Sequence, residues 1–405
     1  MMKKLNKVIC LLMLLVLISS CSFSNFFGNN STTTQNNVTN NITENTTVVG
    51  DITIEDMEQL SVTAYQKVSK ACVGITLKLI DDSTGVIYES PLGIGSGVIY
   101  KRVDNLNKNG EITSYTYYLF TNRHVVVDDV EGSVTAVYIY LGDEYPEYKA
   151  TIVGYDTYVD MAVCKFDSPY YIDPVVIGDS DSIKHGSFAF AVGCPKGFTY
   201  FNSVTFGVIS NPIVCLSDDT DGDGVNDTHL NYIQHDVAIN PGNSGGGLFN
   251  LKGELIGLNA LKLAADYVEN MGFSIPSNIL KILAEDYIEK NIIPKRARLG
   301  IGAIEVRKID QLVKEQNNLK DIPDIYQDTK YGIYITEIER NKTISSSNVE
   351  VHDIILEING EKLYNMIPIT SKLNSLVDFK IGDTIIITYW DRSLNKIVEE
   401  SVVLK

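Results

Sequence analysis

Few residues in this chain could do chemistry together. Ser244 sits in the glycine-rich stretch Asp236-Val-Ala-Ile-Asn-Pro-Gly-Asn-Ser-Gly-Gly-Gly247, between the apolar runs Tyr232–Val237 and Gly247–Leu251. Gly242, Gly245 and Gly246 permit backbone angles that a Cβ resists. Such a turn can aim successive N–H groups at one point, as a developing oxyanion requires. A serine hydroxyl is a weak nucleophile alone and needs a base. Five histidines exist: His124, His185, His229, His235 and His352. His124 closes the apolar run Tyr118-Leu-Phe-Thr-Asn-Arg-His124, which puts an imidazole at a sheet's rim. His235 alternates inside a strand next to the serine and reads as structural. The imidazole needs a carboxylate to orient it and stabilise its charged form. Asp160 enters an apolar strand in Asp156-Thr-Tyr-Val-Asp160-Met-Ala-Val-Cys and suits that role. Asp156, with polar neighbours, reads as solvated.

These residues need rigid elements. From residue 72 short apolar or alternating runs follow one another: Cys72–Ile80, Gly93–Tyr100, Tyr115–Thr121, Val134–Leu141, Lys149–Val153 and Ala162–Phe166. After a break come Ser187–Val192, Val204–Ile209, Leu230–Val237, Gly247–Leu251, Glu254–Leu261 and Met271–Ile275. Many short strands separated by turn residues predict an all-β architecture. Two groups of about six predict two barrels, with the candidate residues meeting in the crevice between them. Helices are expected over Glu55–Ser69 and Ser277–Lys290, the second with Ser277 as its cap. Ile292–Ala297, with one proline, reads as a linker. Beyond it, Leu299–Val306, Ile333–Ile338, Ile354–Ile358, Thr384–Tyr389 and Ile397–Leu404, with a helix at Ile369–Leu376, suit a small, partly open barrel of α+β type.

Thr121-Asn-Arg-His124-Val, Asp160-Met-Ala-Val and Gln234-His-Asp-Val-Ala-Ile-Asn-Pro-Gly-Asn-Ser244-Gly-Gly, in that order, resemble the HtrA (Deg-type) serine endopeptidases of the chymotrypsin-like double-barrel clan. The blocks Gly178-Asp-Ser-Asp, Ala191-Val-Gly-Cys-Pro-Lys-Gly and Gly272-Phe-Ser-Ile-Pro-Ser agree. The resemblance implies a mainly β fold and acyl-enzyme hydrolysis by Ser244, His124 and Asp160, with no metal or organic cofactor required. By position in that clan, the Gly242-Asn243-Ser244 backbone forms the oxyanion hole, chiefly through the N–H groups of Gly242 and Ser244. Ala238, six before the nucleophile, lines the primary pocket, which favours small or aliphatic side chains. The resemblance further implies unfolded or damaged exported proteins as substrates, and a homotrimer.

Residues 297–405 resemble the PDZ domain that follows the protease in this family. Leu299-Gly300-Ile301 matches the loop that holds a peptide's C-terminal carboxylate, and an edge strand beside it would accept the peptide. One departure is His352, where the family usually has glycine. The organisation expected is a leader over 1–20, a tether over 21–50, a protease domain over 51–292 and the PDZ-like domain over 297–405.

The leader reading rests on a basic start, eleven apolar residues (Val8–Ile18) and the tetrad Ile18-Ser-Ser-Cys21, which resembles a lipoprotein processing site. Eleven residues are short for a membrane span. The resemblance implies lipidation of Cys21, a cell-envelope, extracytoplasmic location and the bilayer as a partner. Residues 22–50, rich in Ser, Thr and Asn, form a flexible tether. The net charge of −17 argues against nucleic acid as a partner. The remaining Cys72, Cys164, Cys194 and Cys215 read as buried thiols, with Cys194–Cys215 the pair to expect if any bridge forms. Asp219, Asp221, Asp223 and Asp227, with Gly224, are spaced like a calcium loop, although position twelve is Leu230 and no helices flank it. A second class of function is a tethered peptide-binding or chaperone protein with a latent centre. The presence of all three candidate side chains argues for the enzyme.

Overall fold

The computed structural model describes residues 53–80, 87–127, 134–218, 228–260, 270–292, 294–309, 313–315, 331–376 and 378–405. Helix α1 (Ile54–Val68) opens on a capping box in which Thr53 and Asp56 satisfy each other's backbone N–H groups, and it buries Ala64 and Val68. Six strands follow: β1 (Cys72–Ile80), β2 (Ile87–Leu106), β3 (Ile112–Thr121), β4 (Val134–Tyr140), β5 (Tyr148–Asp156) and β6 (Met161–Ser168). They close into a barrel in the order β1-β2-β3-β6-β5-β4. Ile75, Leu119, Phe120 and Val163 fill it and are fully buried. The one-turn helix α2 (Arg123–Val126) leaves the end of β3.

The second barrel contains β7 (Val176–Ile177), β8 (Phe188–Gly193), β9 (Ser203–Asp218), β10 (Thr228–His235), β11 (Gly247–Phe249), β12 (Glu254–Asn259) and β13 (Gly272–Pro276). Pairing of β11 with both β8 and β12 closes the ring, and β7 joins β12 in parallel. Helix α3 (Ser277–Ile282) then continues as a π-helical turn over Leu283–Ile288. Its cap differs from the expectation. Pro276 occupies the N-cap position, and the Ser277 hydroxyl donates to the Gly178 carbonyl at 2.7 Å instead.

The third unit is a sheet of β14 (Ile301–Glu305), β15 (Ile333–Ile338), β16 (Ile354–Ile358), β18 (Thr384–Asp391) and β19 (Lys396–Val403), with β17 (Glu361–Lys362) paired to β16. Helix α4 (Ile367–Ser375) packs against it, and Leu299, Ile335, Ile355, Ile369 and Ile387 share its core. The residue in the family's usual glycine position, His352, takes a left-handed φ of 80°. A Tyr334 hydroxyl 2.8 Å from its Nδ1 holds it there.

Strands β2, β3 and β9 run longer than their apolar periodicity predicts. Past Asp104, β2 continues with β3 as a two-stranded ribbon whose Leu106 and Ile112 are exposed. With no buried face, the ribbon leaves no alternating pattern to read. The segment expected to be a linker is tied down at its end, where Arg296 is ion-paired to Asp156 and Ala297 is buried. Cys72, Cys164 and Cys194 are buried free thiols, and burial pushes Cys164 up to about 12 and Cys194 up to about 11. The Cys194–Cys215 pair does not form. Cys215 is only half-buried, and its Sγ faces the Ile367 carbonyl of α4.

Candidate active site

Asp160 sits in the turn between β5 and β6 with φ 54°, a left-handed value that Asp tolerates better than most residues. The turn aims both ends of the residue at α2. Its carbonyl accepts from the Arg123 N–H at 3.1 Å and from Asn122 Nδ2 at 2.9 Å. Its carboxylate accepts from the His124 N–H at 3.0 Å and lies 2.6 Å from His124 Nδ1. An ionised carboxylate can only accept, so Nδ1 carries the proton and Nε2 presents its lone pair. The Asp160 side chain is 8% exposed and that of His124 34%, so the base reaches the surface while its partner stays dry.

Ser244 arrives from the second barrel. The turn between β10 and β11 bends at Gly242 (φ 101°) and Gly245 (φ 79°). A Cβ on Gly245 would lie 2.3 Å from the Ser96 carbonyl and 2.4 Å from Thr121 Oγ1, so glycine is required there by contact as well as by angle. This close approach seats Ser244–Gly245 against Thr121–Asn122, the residues before Arg123–His124. Among the described residues, the N–H groups of Gly242 and Ser244 have no acceptor, as an oxyanion hole needs. Asn243 differs from the sequence expectation. Its N–H donates to the Asn240 carbonyl at 2.9 Å, which closes the turn and removes it from the hole. Ser244 Oγ forms no hydrogen bond to His124 among the described residues; catalytic contacts of this kind tighten when substrate binds.

Ser96, on β2, is the functional residue that sequence reasoning missed. It is 1% exposed and makes four bonds, three of them to the second barrel. Its N–H donates to the Ser244 carbonyl (2.8 Å), its Oγ donates to the Gly242 carbonyl (2.6 Å) and accepts from the Cys194 N–H (2.9 Å), and its carbonyl accepts from Thr121 Oγ1 (2.8 Å). The available signal was a serine between two glycines, Gly95-Ser96-Gly97, inside an apolar strand. Ser96 Oγ thus holds the 242–243 peptide, while the Pro241 carbonyl, which shares its peptide plane with the Gly242 N–H, accepts from the Lys196 N–H at 2.8 Å.

Of the other candidates, Ala238 is exposed and its carbonyl accepts from Thr205 Oγ1 at 3.0 Å. Leu299-Gly300-Ile301 leads into the edge strand β14, with Gly300 at φ 69°. Among the described residues the Leu299 and Gly300 N–H groups have no acceptor. Cys21, the 21–50 tether and Asp219, Asp221, Asp223 and Asp227 lie outside the described residues. Asp156 corrects the reading of a solvated acid: it is 4% exposed and ion-paired to Arg296.

His235 is structural, as its alternation suggested. It is fully buried, with Nε2 2.9 Å from Ser274 Oγ, which in turn donates to Asn259 Oδ1 at 3.0 Å. The Asn259 backbone bonds Gly245 and Gly246, so this polar chain backs the serine turn. Burial depresses the His235 pKa from 6.5 to about 4. Between those values the unfolded chain binds more protons than the folded one, so stability falls as pH drops from 6.5 to 4, by about 3 kcal/mol. His235→Gln should flatten that slope in urea titrations at pH 7, 5.5 and 4.5; an unchanged slope would contradict this.

Comparison with known proteins fits this geometry. Residues 95–258 match the trypsin-like peptidase domain and residues 311–372 the PDZ domain. The Serine protease Do-like HtrA of Bacillus subtilis (strain 168) is 32% identical over 342 residues, 82% of this chain and 70% of that protein. The chain belongs to the HtrA family of serine proteases. A second HtrA relative, from Lactobacillus helveticus, is 32% identical over 345 residues, covering 80% of this chain and 77% of its own. Among solved structures, the HtrA-type protease AlgW with decapeptide superposes with a TM-score of 0.56 at 24% identity, over 85% of this chain and 98% of that one. That likeness establishes the double-barrel-plus-PDZ fold for this HtrA protein.

Proposed function

We propose that this HtrA protein is an extracytoplasmic, membrane-tethered serine endopeptidase that cleaves unfolded or damaged proteins. Ser244 Oγ attacks the scissile carbonyl, His124 Nε2 takes its proton and later gives it to the leaving amine, and Asp160 fixes the tautomer. The Gly242 and Ser244 N–H groups receive the oxyanion, each contributing about 3 kcal/mol to lowering the barrier. Ala238, small and neutral, favours small or aliphatic side chains at the scissile position. The observation that carries this reading is the His124 imidazole held on the buried Asp160 carboxylate beside a serine turn whose Gly242 and Ser244 N–H groups have no acceptor among the described residues.

The remaining parts of the proposal rest on the family resemblance. Cys21 carries the lipid, the 22–50 segment spans from bilayer to enzyme, and three copies assemble. The Leu299-Gly300-Ile301 loop takes a peptide's terminal carboxylate while the peptide pairs with β14. The solved HtrA-type protease AlgW with decapeptide fits a peptide ligand for this protein. Purified full-length protein should digest casein, and a serine-directed phosphonylating reagent should stop it. Digestion that survives complete modification, or an inert enzyme, would refute the hydrolase reading.

A further inference from the structure

One buried ion pair lies outside the reacting groups yet touches their support. Arg296, five residues before β14, places its guanidinium on Asp156 in bidentate fashion, with Nη1 to Oδ2 at 3.0 Å and Nη2 to Oδ1 at 2.8 Å. Its Nε donates to the Asn374 carbonyl at the C-terminal end of α4 at 2.8 Å, and its Cζ stands 4.4 Å from the Tyr158 ring centre. The two charged side chains are 5% and 3% exposed. Asp156 Oδ1 also accepts from the Val159 N–H at 3.0 Å. The segment 156–160 is thus closed at its start by a carboxylate that Arg296 holds, and ends in the strained Asp160 that meets His124.

We infer that Arg296 is a positioning residue for the acid of the active site, acting through Asp156 and the Val159 N–H; this rests on the hydrolase reading above. The physical reasons are three. A residue with positive φ keeps that angle only when its surroundings over-determine it. The Asp156–Val159 bond is the support at the turn's entry. A bidentate guanidinium fixes the carboxylate's plane as well as its position, which a lysine could not do. The same guanidinium grips the end of α4, the helix that packs on β10, so the acid turn and the C-terminal domain share one clamp.

The test uses the full chain and two readouts. In wild type, the short Asp160–His124 hydrogen bond should give a low-field imidazole proton resonance. Arg296→Ala and Asp156→Asn should each weaken it and lower kcat by 10- to 100-fold with KM changed less than threefold, and the double variant should be no worse than either single one. Arg296→Lys should recover part of the loss. Arg296→Met with Asp156→Leu removes both charges, so a buried charge is not left unpaired and the fold is kept. With no acceptor for Val159 N–H, that variant should still lose the resonance and the rate. A folded Met/Leu variant, or an Arg296→Lys variant should the former not fold, that keeps both the resonance and a kcat within twofold of wild type overturns the inference. A wild type that shows the resonance but no hydrolysis would fault the hydrolase reading alone.

Discussion

Ser244→Ala is expected to lower kcat for casein hydrolysis on the order of 10⁶-fold while leaving the thermal midpoint within about 2 °C of wild type. The two halves of that expectation have separate causes. Ser244 Oγ makes no hydrogen bond among the described residues, so its removal strands no buried partner. The turn is held instead by backbone bonds that the substitution leaves in place: the Ser244 carbonyl to Ser96, and Gly245 and Gly246 to Asn259. What is lost is the atom that bonds covalently to the acyl group in the proposed mechanism. The residual rate should come from the Gly242 and Ser244 N–H groups and from binding. Activity within a hundredfold of wild type would contradict the assignment of nucleophile.

Asp160→Asn should lower kcat by about 10⁴-fold with little change in KM. Here the shape is retained and the proton is misplaced. Asparagine can keep one oxygen on the His124 N–H, but its amide nitrogen then faces Nδ1. Nδ1 must become an acceptor, which moves the ring proton to Nε2 and removes the lone pair that should receive the serine proton. The asparagine accepts a left-handed φ as readily as aspartate does, so the turn should survive. Rates measured at saturating substrate separate this from a binding defect, and a loss below tenfold would sink the proposed role.

Much of the candidate site was legible because its chemistry demands rare residue types in fixed surroundings. A glycine-flanked serine, one histidine at a strand end and one aspartate entering an apolar strand left few choices. The barrels were legible because their strands are buried on one face, and burial writes a period into the sequence. What was not legible depends on contacts between distant segments. Asp156 carries polar neighbours, yet Arg296, 140 residues on, takes it out of solvent. Ser96 looks like one polar residue in a strand, and only the meeting of two barrels gives it its bonds to Ser244, Gly242 and Cys194. Asn243 sits between the two proposed hole residues in sequence, but the turn commits its N–H to Asn240. Ser277 is a good cap by type, and the Gly178 carbonyl claims its hydroxyl.

The central claim is that the hydroxyl of Ser244 is made nucleophilic by His124 held on Asp160. A fluorophosphonate reacts covalently with a serine only when it is so activated. Intact-mass measurement followed by peptide mapping should show one adduct per chain, on the peptide containing Ser244, formed rapidly in wild type and not at all in His124→Ala. Modification elsewhere, or equal labelling of both proteins, would contradict the account.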